Sequence, residues 1–104
     1  MKIQEFMEER VKTFLEMWAT DIEEVKTQLK RAEVFSNGNV TWAEQDDDMT
    51  SYKTLSDLQL SFDMNWNDWV TMSPDFDSFS EEEQDEIKEH DLFQQTPINV
   101  WNLI

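Results

Sequence analysis

Between Ser80 and Asp91 the chain carries seven carboxylates and one lysine. Carboxylates at this density can hold a cation, assist acid–base catalysis, or present negative charge to a basic partner. The first two uses find little support in the residues around them. His90 is the one histidine, and there is no cysteine. A nucleophile with an imidazole base would have to use His90, and a zinc site built from several His or Cys ligands cannot be assembled. His90-Asp91 lacks the further histidines that a metal-bound His-Asp pair needs. With one glycine in the chain, no glycine-rich phosphate loop can form. Asp63-Met64-Asn65-Trp66-Asn67-Asp68 opens like a calcium-binding loop. Its sixth position, however, is Asp68 where the turn needs glycine, and its twelfth is Pro74 where a bidentate glutamate belongs. No catalytic residue, metal ligand or cofactor is assigned.

The third use fits better. Ser80 followed three residues later by Glu83 is a capping box, so the run should begin as a helix. Glu81 and Glu82 in its first turn suit the positive end of the helix dipole. If Ile87 faces the core, Glu82, Asp85, Glu86 and Glu89 face outward as one ridge. Carboxylates four residues apart on a helix lie ~6 Å apart along its axis, comparable with the step between phosphates on a nucleic-acid strand. Asp46, Asp47, Asp48, Asp75 and Asp77 are placed to extend this surface.

The charge is regional. The formal net charge over 104 residues is −16. Residues 1–32 hold six basic and seven acidic side chains, whereas residues 33–104 hold two basic and seventeen acidic ones. Charge of this size opposes compaction. Yet 38% of the residues are hydrophobic and 12% aromatic, with five tryptophans, which is too much apolar bulk for a disordered acidic chain. One small folded domain is expected over residues 1–104. No apolar run exceeds three residues, so no membrane span is expected, and the acidic start (Glu5, Glu8, Glu9) is unlike a secretory signal. The expectation is a cytoplasmic protein.

Several elements must position the ridge. Ile3, Met7, Val11, Phe14, Trp18, Ile22, Val25, Leu29 and Ala32 recur every three or four residues, which predicts one amphipathic helix over residues 2–33. Its stripe also allows a homodimer seam, although the spacing leaves a strict heptad after Trp18. Asn37-Gly38 predicts a hairpin pairing Phe35 with Val40, or else a helix C-cap, with a strand around Val40-Thr41-Trp42. Asp46-Asp47-Asp48 reads as a loop. Residues 58–66 alternate apolar and polar, which predicts a half-buried strand and a cross-strand Trp66–Trp69 pair. Leu55, Leu58, Phe62, Trp66 and Trp69 also fit a helix. The strand is preferred because Ser, Asp, Asn and Thr between them are weak helix formers. Residues 73–79 read as a connector. The acidic helix runs to about Phe93, and Thr96-Pro97 opens either a helix or a last strand. The expected class is α+β: a long N-terminal amphipathic helix packed on a small antiparallel sheet, with a second, acidic helix near residues 80–93. An all-α arrangement is the alternative.

Direct nucleic-acid binding is disfavoured, because phosphate contacts need Lys and Arg. A protein that grips phosphates presents a basic groove, however, and a rigid row of carboxylates can fill it. The expected partner is a basic nucleic-acid-binding protein or nuclease. The leading expectation is a non-enzymatic, phage-encoded inhibitor that imitates DNA, of anti-restriction or anti-CRISPR type. The alternatives are an immunity protein that caps a toxic nuclease, with Trp66 or Trp69 as anchors, and a non-inhibitory acidic adaptor using an apolar patch around Trp101.

Overall fold

The computed structural model describes residues 2–43 and 47–104, for Asp47 and Asp48 by their backbone alone. The apolar stripe near the N-terminus forms two helices rather than one, α1 (Ile3–Met17) and α2 (Ala19–Arg31). Trp18 separates them with φ −93° and ψ 5°, away from the helical well. No glycine or proline marks this break. The two helices belong to different compact units.

Most of the described residues are helical, and one two-stranded antiparallel ribbon joins β1 (Glu33–Val34) to β2 (Val40–Thr41). The hairpin forms, but one residue out of the expected register: Val34, not Phe35, pairs with Val40. The Gly38 N–H donates to the Phe35 carbonyl at 2.9 Å, and Phe35 N–H donates to Asn39 at 2.9 Å. Gly38 takes φ +87°, and no described non-glycine residue has positive φ. The loop therefore needs one left-handed residue after an ordinary turn, not the two of a two-residue hairpin.

After the ribbon, α3 (Asp47–Thr50) is a single helical turn where a loop was expected. Residues 58–66 are not a strand but the middle of α4 (Leu55–Thr71). Leu55, Leu58, Phe62, Trp66 and Val70 are all buried, and their spacing of three and four is that of a helix. The weak helix formers between them mostly lie on the solvent side, and burial of the opposite face overrides their propensity. The connector at 73–79 holds another helix, α5 (Pro74–Ser78), opened by Pro74 in its first turn. The acidic helix is α6 (Glu81–Glu89), and it stops before Phe93. His90 is extended, and α7 (Asp91–Gln94) starts after it. The chain ends in a 3-10 turn (Val100–Leu103), capped by the Asn99 side chain, rather than in the expected helix or strand.

Contacts gather into two compact units: Met1–Met17 with Phe62–Ile98, and Trp18–Ser61 with Asn99–Ile104. In the first, α1 packs against α6 and α7. Its core contains Phe6, Met7, Phe14, Phe62, Trp66, Val70, Phe76, Phe79, Ile87 and Ile98. Phe6 meets Phe79 edge-on with centroids 5.2 Å apart. α1 is thus supported by helices of its own unit, and the sheet belongs to the second unit. There, α2 buries Val25 and Leu29 and packs against the terminal 3-10 turn. The ribbon is pinned to the following segment, since Val40 N–H donates to Lys53 and Leu55 N–H to Gly38, each at 2.9 Å. The Trp42 indole donates to the Tyr52 carbonyl at 2.9 Å, and Gln59 Oε1 accepts from Val100 N–H at 2.9 Å. Among the described residues, no helix is long and apolar enough to cross a membrane.

Candidate partner-binding face

The geometry of α6 follows from how it begins. Glu83 N–H donates to Ser80 Oγ at 3.2 Å, and Glu83 Oε1 accepts from Ser80 N–H at 3.2 Å. The expected capping box is therefore formed in full, and two otherwise unpartnered N–H groups are satisfied. Gln84 then ties the helix to α5: its Nε2 donates to the carbonyls of Phe76 and Phe79, each at 3.1 Å. Ile87 is 0% exposed. Cap, tie and apolar anchor together fix which way α6 is turned.

With Ile87 inward, helical geometry puts Glu82, Asp85 and Glu89 on the opposite pole and Glu86 on its flank. All four are exposed. Among the described residues none of the four has a hydrogen-bond or ion-pair partner. Such partners would be costly to displace, so these carboxylates are available. Glu83 is spent on the cap, as expected. α6 holds six carboxylates and one lysine over nine residues, a net charge of −5. Nine residues span about 13 Å, so the charge density is one per roughly 2.7 Å. Duplex DNA carries one charge per about 1.7 Å of axis, and a single strand of it one per about 3.4 Å. The helix falls between the two.

The neighbours enlarge the acidic surface unevenly. Asp75 and Asp77 are exposed on α5, immediately before α6, in the same unit. Asp91 is exposed at the start of α7. That unit contains fifteen acidic and four basic residues, a net −11 of the total −16. Asp47 and Asp48 begin α3 in the other unit, their side chains lying outside what is described, and Asp46 lies outside the described residues altogether. Glu82, Asp85, Glu86, Glu89, Asp75 and Asp77 thus belong to one compact unit and are all exposed.

His90 is half-buried and built into the fold: Nδ1 accepts from Leu92 N–H at 3.1 Å, and Nε2 lies 2.9 Å from Gln4 Oε1. It caps α7 and links it to α1. Trp66 and Trp69 are not a cross-strand pair, and they are poorly placed as anchors. Trp66 is 2% exposed, and Trp69 is half-buried with its indole N–H on the Arg10 carbonyl at 3.2 Å and the Arg10 guanidinium 5.0 Å from its ring centroid. Sequence spacing offered no signal for the Gln4–His90 link, because it joins residues 86 apart. The stretch opening at Asp63 is helical to Thr71, so it does not form a calcium-type loop.

No family model, curated protein or solved structure matches the chain.

Proposed function

We propose that this protein is a non-enzymatic acidic decoy that occupies the basic nucleic-acid-binding surface of a partner protein. The observation that carries the reading is the partnerless row Glu82, Asp85, Glu86 and Glu89 on a helix whose opposite side is fixed by the buried Ile87. A row with internal ion pairs would have to break them before meeting a partner. This one offers its charge at once, and the net charge density of α6 as a whole lies between those of duplex DNA and one of its strands. Asp75 and Asp77 extend it. A steep negative field of this kind also speeds association with a basic groove and makes it salt-sensitive. The burial of Trp66, and the engagement of the half-buried Trp69 by Arg10, favour the decoy over an immunity protein that would use them as central anchors. A phage protein set against a restriction or CRISPR nuclease is the finer form of the same proposal.

The test is recovery of partners from a bacterial lysate at low and high salt, with Glu82, Asp85, Glu86 and Glu89 all changed to lysine as the control. Nucleic-acid-binding proteins should be recovered at low salt, be displaced by added DNA, and be missing with the control. Recovery that is unaffected by the reversal would place the interface elsewhere and defeat the proposal. The variant's circular dichroism should match that of the unaltered chain.

A further inference from the structure

The acidic unit exposes a second feature that the decoy reading does not use. Met64 and Met72 are 62% and 77% exposed, while Phe62, Trp66 and Val70 on the same helix are buried. Met64, Asp68 and Met72 follow one another at steps of four, and each step advances only about 40° around the helix. The pattern persists one residue beyond α4, since Met72 N–H donates to the Asp68 carbonyl at 2.9 Å. Two flexible thioethers therefore stand about 12 Å apart along one row with a carboxylate midway between them. Asp68 is exposed and, among the described residues, unpaired. A single exposed methionine calls for no explanation. A row of two around a carboxylate is a different case, because unbranched thioethers adapt to many apolar shapes and recur on surfaces that bind helices.

Charge selects what fits on this row. Nucleic acid and anionic lipid would bring negative charge to a unit that already carries −11. A second copy would do the same, and a two-fold contact would set Asp68 rows against each other. A basic segment gains at every position. We infer that the Met64–Asp68–Met72 row is a docking surface for a basic amphipathic helix of a partner protein. Its apolar side chains would pack on the two methionines, and a lysine or arginine between them would meet Asp68. The inference is independent of what the α6 carboxylates do.

The test uses the full chain and a labelled, 14-residue Leu/Lys amphipathic helical peptide, followed by fluorescence anisotropy at about 0.15 M salt. A peptide with serine in place of leucine serves as the charge-matched control. The Leu/Lys peptide should bind about tenfold more tightly than the control. Met64→Ser with Met72→Ser should remove that advantage. Methyl-labelled methionine spectra of the unaltered chain provide a readout that needs no variant. Of its six methionines, Met64 and Met72 should shift on adding the Leu/Lys peptide. Equal binding of both peptides, an advantage that survives the double substitution, or shifts confined to other methionines would overturn the inference.

Discussion

The indole N–H of Trp66 donates to the backbone carbonyl of Phe93 at 3.0 Å, joining the middle of α4 to α7 across 27 residues of sequence. The same indole meets the Phe14 ring edge-on, with centroids 5.1 Å apart. One side chain thus holds three helices of the acidic unit around it.

Replacing Trp66 separates its two contributions. Trp66→Ala removes a large buried side chain and should cost about 3–5 kcal/mol. Trp66→Phe keeps most of the apolar area and the aromatic contact but leaves the Phe93 carbonyl without its donor, at about 1–3 kcal/mol. Urea unfolding of both variants measures the difference. If Trp66→Phe is as stable as the parent, the hydrogen bond contributes nothing and packing alone holds α4 to α7.

Trp66 also shows why part of this fold escaped the sequence. It belongs to two patterns at once, the alternation of residues 58–66 and the helical series Leu58, Phe62, Trp66. The alternation arises because Leu60 and Met64 are apolar yet exposed. Only tertiary burial distinguishes them from the core residues beside them, and that is not written locally. The break at Trp18 is equally silent, as no propensity breaker marks it. The start of α6, by contrast, was legible at Ser80 and Glu83 because a capping box is a local device with a fixed spacing. Its outward ridge was legible too, because Ile87 is the one apolar residue of α6 and left a single choice of inner face. The Gln84 tie to α5 was not, since it depends on a helix hidden in the 73–79 segment.

The capping box should matter to the candidate face as well as to stability. Ser80→Ala leaves the Glu83 N–H without its acceptor and should cost about 1 kcal/mol. Ser80→Thr retains a hydroxyl acceptor and should cost less. Amide hydrogen exchange along residues 81–84 would locate the effect. Faster exchange there in Ser80→Ala, with α1 unchanged, is the expected result. Uniform acceleration across the chain would mean that the cap supports the whole unit rather than the first turn of α6.

The His90 side chain is held in one tautomer by its neighbours. Gln4 Nε2 donates to Glu8 at 3.0 Å, so Gln4 presents its oxygen to His90. His90 Nε2 must therefore carry the proton, while Nδ1 accepts from Leu92 N–H. Long-range nitrogen–proton NMR at neutral pH should show His90 as the Nε2–H form. His90→Asn keeps a short cap for α7 but cannot reach α1 in the same way, and should be less disruptive than His90→Leu, which loses both bonds. A mixture of tautomers would show that the Gln4–His90 link is not maintained in solution.

The ridge should be held at a cost to stability. Glu82 and Glu86, and likewise Asp85 and Glu89, stand at steps of four on α6, where like charges repel by about 0.2–0.5 kcal/mol per pair. No lysine or arginine is paired with them among the described residues. Added salt shortens the screening length from about 30 Å at 0.01 M to about 8 Å at 0.15 M, which should relieve both this repulsion and that of the whole −16 chain. The melting temperature should therefore rise by a few degrees, about 4 °C, between those concentrations. Changing Glu82, Asp85, Glu86 and Glu89 to glutamine should raise it at low salt and weaken its dependence on salt. A residue that a fold retains against its own stability is expected where function needs it. Increased stability together with lost partner binding in this variant would be the signature of a charge row kept for recognition. A variant that melts lower than its parent would show instead that the carboxylates help hold α6 in place, and that the row is not free for a partner.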